Sequence, residues 1–329
     1  MAEIVLGLGT SHSPLLSVPN RLWAGYAERD KENQTLYRVP DGKHVNYEEL
    51  LAEADPAIKK ELTEEVFERR HRSNQEGISR LGQILEDVDP DVLIMFGDDQ
   101  SEIFDKEAMP PFCVFWQDEV LFAPRAGRRM DESRQALIDY YGGDDVREYP
   151  VASAFGKHIV QSLNDQQFDA MHVHRMNPDK NMSHAFGFVW RRLMPNKIIP
   201  TVPIHINTYF PPNQPTPQRC WDFGKAIREA ILDWDSDTRV AVLGSGGFSH
   251  FVVDEEIDRR AIQVMQDRNV DGIASLPTER LQSGTSEIRN WIAAAGTVGD
   301  DKEFDLLDYV PCYRSAAGTG CAMAFATWS

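Results

Sequence analysis

The sequence predicts an α/β fold, a central mostly parallel or mixed sheet flanked by helices, and three observations carry that prediction. Short apolar runs recur at EIVLGLG (3–9), DVLIMFG (91–97), FCVFW (112–116), FDAMHV (168–173), IIPTVPIHI (198–206) and VAVLGSG (240–246). Helical patterns lie between them. Polar residues that can bind or react gather just after the runs. Short buried strands alternating with amphipathic helices form a sheet covered on both faces.

Of the helices, the first covers 47–88, where Ile78, Leu81, Ile84 and Leu85 make an apolar stripe that stops before Asp-Pro-Asp. A second amphipathic helix reads over 216–234. A third spans 285–296, with Thr285 or Ser286 as its cap and Gly296 as its stop. The expected organisation is a single domain over 1–329 with a helical insertion at about 20–88. No repeat or low-complexity tract interrupts it.

Bulk composition narrows the function classes. Hydrophobic residues at 42% and charged residues at 26% are ordinary for a globular chain. A formal charge of −18 repels phosphate backbones and anionic membranes, so neither nucleic acid nor a membrane surface is expected as a partner. The dense basic runs, ERRHR (68–72) and PRAGRR (124–129), read as solvated faces. Cys113, Cys220, Cys312 and Cys321 have no CxxC spacing, which argues against a zinc ribbon or disulfide scaffold and for reduced thiols. No window approaches the roughly 18 apolar residues of a membrane span, and no basic leader opens the chain. A soluble, cytoplasmic protein is expected.

Open α/β sheets bind ligands beyond the carboxyl ends of their strands. The residues there are GTSHSP with His12, GDDQSE with Asp98, Asp99, Gln100 and Glu102, HRMNPDKNMSHAFG with His174 and His184, NTYFPP, and GSGGFSH with His250. His12 sits in a Gly/Ser/Pro turn with little core to fill, and reads as a metal ligand. His250 follows a glycine-rich turn at the rim of a site, where an imidazole titrating near neutrality suits acid/base work. The glycines read as allowing backbone to approach a bound group. A nucleotide loop is disfavoured because GxGxxG is absent, and a serine hydrolase because GxSxG is absent. Paired catalytic carboxylates at Asp98 and Asp99 are disfavoured because neighbours on an extended strand face opposite ways.

Taken together, GLGTSHSPLL (7–16), FGDDQSEIF (96–104), NTYFPP (207–212), GSGGFSHF (244–251) and SGTSEIRNWI (283–292) give the chain its family likeness. In that order and spacing it resembles the class III extradiol ring-cleavage dioxygenases of the protocatechuate 4,5-dioxygenase β-subunit (LigB-like) type. The resemblance spans almost the whole chain. It implies Fe(II) held by two histidines and a glutamate, with open positions for substrate and O2. Carried onto this sequence, the ligands are His12, Glu287 and, at the place of the second histidine, Gln100. That last position departs from the family pattern, since an amide oxygen is a neutral and weaker donor than imidazole. Three explanations stand open: Gln100 is a weak ligand, Asp98, Asp99 or another loop's histidine completes the shell, or the site is inactive.

The resemblance further implies His250 as the acid/base residue and His184 as a second catalytic histidine lining the site. It implies a protocatechuate- or gallate-like substrate, O2 as co-substrate and opening of the ring. Two alternatives stand beside this. The fold could act on a hydroxypyridine or aminophenol with an altered metal shell, or serve as a non-catalytic partner subunit. The expected assembly is a homo-oligomer, a dimer, with a hetero-subunit as the variant. Arg175, Lys180 and Arg191 are the cations near His184 that a carboxylated substrate could use.

Overall fold

The computed structural model describes residues 1–34, 36–39, 41–124 and 132–329. Eleven strands lie among them: β1 (Glu3–Thr10), β2 (Val92–Gly97), β3 (Phe112–Phe115), β4 (Glu119–Phe122), β5 (Arg147–Pro150), β6 (Met171–Val173), β7 (Thr201–Ile206), β8 (Arg239–Ser245), β9 (His250–Val252), β10 (Phe304–Tyr313) and β11 (Thr319–Trp328). All but β4 and β5 form one sheet in the order β10-β11-β1-β8-β2-β7-β3-β6, with β9 paired to β11. The sheet is mixed, as expected. Strands β1, β8, β2 and β7 are mutually parallel, whereas β11 runs antiparallel to β1 and β3 antiparallel to β7.

Register levels the ends of the parallel strands. Thr10 lies opposite Ser245, Phe96 opposite Gly244, and Gly97 opposite His205. Residues that follow these strands therefore emerge side by side at one edge of the sheet.

Helices cover both faces. Pro217–Leu232, Ile288–Val298 and Ser153–Asp165 build one apolar layer with Phe223, Ile227, Trp291 and Ile292 at its centre. On the opposite face Glu64–Val88 lays Ile78, Leu81 and Leu85 on the sheet, beside Phe186 and Trp190. Each such fully buried side chain contributes about 1.5–3 kcal/mol of hydrophobic stabilisation.

The helix predicted over 47–88 is in fact three pieces: Tyr47–Glu53, a 3-10 segment at Pro56–Glu61, and Glu64–Val88. Pro56 disfavours helical backbone at Asp55, and Asp55 and Thr63 each cap a fresh start. The helix predicted over 285–296 also shifts. It runs Ile288–Val298 after a 3-10 turn at Ser283–Glu287, with no side-chain cap from Thr285 or Ser286, and it stops at Gly299 with φ 75°. Gly296 is internal because a Cβ there would lie 2.5 Å from the Trp221 carbonyl oxygen; it allows two helices to touch.

Strands β4, β5, β9, β10 and β11 were not predicted. β11 is buried along its whole length, so it has none of the alternation that marks a half-exposed strand. Of the two basic runs, ERRHR is not wholly solvated, since Arg70 is buried against Glu61 at 2.6 Å. PRAGRR lies, beyond Pro124, outside the described residues. The four cysteines are free thiols, all buried.

Candidate metal centre and catalytic cavity

His12 leaves the end of β1, and Ser245 ends the neighbouring β8. The imidazole Nδ1 of His12 lies 3.0 Å from the Ser245 hydroxyl, which donates its own hydrogen to the Ala185 carbonyl at 2.8 Å. The hydroxyl's hydrogen being committed, Nδ1 must be the donor and Nε2 carries the bare lone pair. Nε2 is buried and has no hydrogen-bond partner among the described residues. It points at two carboxylates, Glu287 Oε2 at 3.5 Å and Asp98 Oδ1 at 3.7 Å.

Glu287 closes the 3-10 turn that leads into Ile288–Val298, and Trp291 pins that helix by donating its indole hydrogen to the Gly246 carbonyl at 2.8 Å. The backbone N–H of Gly247 donates to Glu287 Oε2 at 2.6 Å. The glycines of GSGGF admit this contact: a Cβ on Gly246 would meet the Glu287 carbonyl oxygen at 2.7 Å, and one on Gly247 the His250 ring at 2.6 Å. They make room for the site's own residues.

His250 begins β9. Its Nδ1 donates to the Phe248 carbonyl at 2.7 Å, which turns Nε2 to Glu287 Oε1 at 3.2 Å. Thr285 accepts the His250 backbone N–H at 3.0 Å and is itself bonded to the Tyr37 hydroxyl.

At the end of β2, Asp98 and Asp99 take separate tasks. Asp99 accepts the backbone N–H groups of Glu102, Ile103 and Phe104 and so folds the loop. Asp98 faces the cluster, with Oδ1 accepting from Asn290 at 3.2 Å and Oδ2 buried without a partner. Gln100 is half-buried on the cavity wall, and its backbone N–H donates to Glu102 at 2.9 Å. Glu102 in turn accepts from His184 Nδ1 at 2.7 Å. The rings of His12 and His184 meet edge-on at 4.8 Å.

Electrostatics follow from this burial. Desolvation pulls the His12 imidazole down to about 4, so it stays neutral and able to ligate. Burial would also lower His184, but the charge and hydrogen bond of Glu102 outweigh it and hold the imidazole at about 10. For Glu287 burial pushes upward, yet His250 and His12 win and the carboxyl sits at about 2. For His250, the Glu287 carboxylate likewise overcomes burial, and the net shift is upward. Asp98 is driven well above the usual carboxylate range, by burial first and then by the Glu287 charge. Two buried carboxylates within 3.7 Å of one bare imidazole nitrogen call for a cation.

The chemistry of the donors fits one. Donor atoms of His12, Asp98 and His184 all lie within 4.8 Å of one another. A cation among them would satisfy both orphaned atoms, each of which otherwise costs about 1–3 kcal/mol. A cavity of about 530 Å³ opens over the cluster, walled by Phe122, Leu137, Tyr141 and Phe251.

Over residues 50–320 the sequence matches the family described as the catalytic LigB subunit of aromatic ring-opening dioxygenase. The chain belongs to this family. This LigB-family protein is 29% identical over 171 residues to a 2,3-dihydroxyphenylpropionate/2,3-dihydroxicinnamic acid 1,2-dioxygenase of Photorhabdus laumondii, a match covering 52% of this chain and 46% of the relative. It is 34% identical over 116 residues to a gallate dioxygenase of Pseudomonas putida, covering 33% of each. A third relative, of Comamonas testosteroni and named like the first, is 28% identical over 161 residues, covering 49% of this chain and 43% of its own. The LigB-family chain thus spans about half the length, or less, of the curated relatives it matches.

In the LigB-family chain the predicted His12, Glu287, Gln100, His250 and His184 all line the one cavity. The proposed local cations do not: Lys180 pairs with Asp105 at 2.9 Å, Arg175 is exposed, and Arg191 is buried against the Asp145 and Tyr141 carbonyls. Among the described residues, the arginines that reach the cavity wall are Arg29 and Arg314. His174 stacks on Trp116, at the β6 edge. Sequence reading missed Ser245 and Asn290 and gave Glu102 no role of its own, because their contacts to His12, Asp98 and His184 join segments distant in the chain. Among the described residues no helix is long and apolar enough to cross a membrane.

Proposed function

We propose that this protein is an Fe(II)-dependent extradiol dioxygenase that inserts O2 into a dihydroxylated aromatic ring of the protocatechuate or gallate kind and opens it. One observation carries the reading. His12 Nε2, its lone pair bare, lies 3.5 Å from Glu287 Oε2 at the floor of a largely apolar cavity. Two donors each about 2.1 Å from one ion, set at right angles or wider, are separated by about 3.0 Å or more, so this spacing suits neighbouring positions in a shell.

His12 and Glu287 would hold the iron, which when bound supplies the redox chemistry between the ring and O2. The chain's own residues do the rest. Ser245 keeps His12 in the tautomer that ligates. His250 takes the proton of a substrate hydroxyl at Nε2 and returns it to the opening ring, because its Nδ1 is tied to Phe248. Phe122, Leu137 and Phe251 flank the aromatic ring and keep bulk water out. The relatives named for dihydroxyphenylpropionate and gallate support a vicinal-diol substrate. A non-catalytic partner subunit is disfavoured, since such a subunit has no need of His12, Glu287 and His250 in one pocket.

The test is anaerobic Fe(II) loading, a measured iron content, and an oxygen-uptake screen over catechols, gallates, aminophenols and hydroxypyridines. Uptake with a vicinal diol and an open-chain product is expected. Full iron occupancy without uptake on any of the four classes would overturn the proposal; uptake confined to aminophenols or hydroxypyridines would move the substrate to that class.

A further inference from the structure

Two buried acceptor atoms at the strand ends share a predicament: His12 Nε2 and Asp98 Oδ2 have no hydrogen-bond partner among the described residues. The Asp98 carboxylate is held toward His12 by Asn290, whose amide donates to Oδ1 at 3.2 Å and to the Ser245 carbonyl at 2.8 Å. A helix residue thus fixes a strand-end carboxylate beside an imidazole at 3.7 Å. Among the described residues nothing uses that carboxylate's second oxygen.

His184 completes the picture from a third direction. Its Nδ1 is engaged by Glu102 at 2.7 Å, leaving Nε2 as the nitrogen that can ligate. Imidazoles that bind metals usually donate their other N–H to a carboxylate, hydroxyl or carbonyl, which fixes the tautomer and raises the basicity of the ligating nitrogen. Both histidines here have that support, His12 from Ser245 and His184 from Glu102. Gln100 differs in kind. It brings a neutral amide to a position whose backbone N–H steadies Glu102.

We propose that Asp98 and His184 complete the metal shell with His12 and Glu287, and that Gln100 stays outside it. The inference rests on reading this cavity as a metal site. The two carboxylates match a divalent cation in charge, and the two imidazoles add neutral donors. The amide at Gln100 then costs the site nothing, because the donor it fails to supply comes from Asp98 two residues earlier and from His184 across the cavity.

The experiment is anaerobic titration of the full chain with Co(II), a spectroscopic stand-in for Fe(II), on wild type, Asp98→Asn, His184→Gln and Gln100→Ala. Asp98→Asn can keep the Asn290 contact at Oδ1 while it removes the charge and turns the second oxygen into an N–H donor that cannot ligate. Affinity should fall in Asp98→Asn and in His184→Gln by at least the 10- to 100-fold, roughly, that loss of an outer-shell partner costs, and should hold within about threefold in Gln100→Ala. X-ray absorption on Co(II)-loaded wild type should count two imidazoles on the metal and His184→Gln one; the wild-type spectrum decides even if a variant fails to fold. A single imidazole in wild type, undiminished affinity in either Asp98→Asn or His184→Gln, or an equal loss in Gln100→Ala would overturn the donor set. Wild type that binds neither Co(II) nor Fe(II) would instead overturn the metal reading itself.

Discussion

Gly284 lies directly against the imidazole of His250: a Cβ at Gly284 would fall 1.7 Å from His250 Cδ2. The glycine belongs to the same 3-10 turn as Glu287, so one turn supplies a carboxylate and leaves the gap in which the neighbouring imidazole stands. Gly284→Ala is therefore expected to expel the ring. Turnover should drop by about 10²–10⁴-fold, the usual share of a general acid/base, while bound metal and the circular dichroism spectrum persist. His250→Phe should give the same profile by removing the ring outright. Oxygen uptake beside iron content separates the outcomes, and normal turnover in Gly284→Ala would show that His250 tolerates displacement.

Ser245→Ala removes the hydroxyl that fixes the His12 tautomer. The imidazole keeps its place in the packing but loses the bias that bares Nε2. Metal affinity should fall by about 10–100-fold, as for other outer-shell partners. Serine-to-alanine affinity unchanged in a calorimetric titration would contradict the assigned tautomer.

The cavity's far wall depends on a buried ion pair. Arg314 donates twice to Asp30, at 2.7 and 2.6 Å, and Thr319 donates to the same carboxylate. Arg314→Ala leaves Asp30 charged, buried and underpaired, which should cost about 3–5 kcal/mol. The denaturant midpoint would report it. A loss below about 1 kcal/mol would mean that water reaches Asp30 through the cavity and screens it.

His205 sets a pH dependence away from the metal centre. Fully buried in β7, it is lowered to about 3 by desolvation, partly opposed by its bond to the Pro110 carbonyl. The folded protein keeps this imidazole neutral where the unfolded chain, near 6.5, takes up a proton. Stability from this group is thus complete above pH 6.5 and is lost as pH falls from 6.5 toward 3, at about 1.4 kcal/mol per unit. Comparison with His205→Leu isolates the effect: the wild type should lose ground to the variant steadily across that window. Parallel stability curves for the two proteins would refute it.

His12 and His250 were singled out by local signals, a strand end and a glycine-rich turn bearing a reactive side chain, whereas Glu287 entered only through the family resemblance; the structure brings all three to one cavity. The fold class was legible from local signals as well, since alternating apolar runs report the covered sheet. Boundaries near proline and glycine were less so. Gly296 reads as a stop, yet it lies inside a helix because Trp221 of another helix needs the space a side chain would fill.

Within GDDQSE the sequence supplies three carboxylates and an amide in close succession, and only tertiary structure decides which faces the cluster. Strand register aligns Gly97 with His205, the turn after it commits Asp99 to three backbone N–H groups, and Asn290 from a distant helix turns Asp98 inward. The chain by itself determined which residue types stand at the strand ends. The directions in which they point, and hence their chemistry, came from contacts between segments far apart in sequence, because a side chain's orientation is fixed by the hydrogen bonds and packing that reach it, wherever along the chain those partners lie.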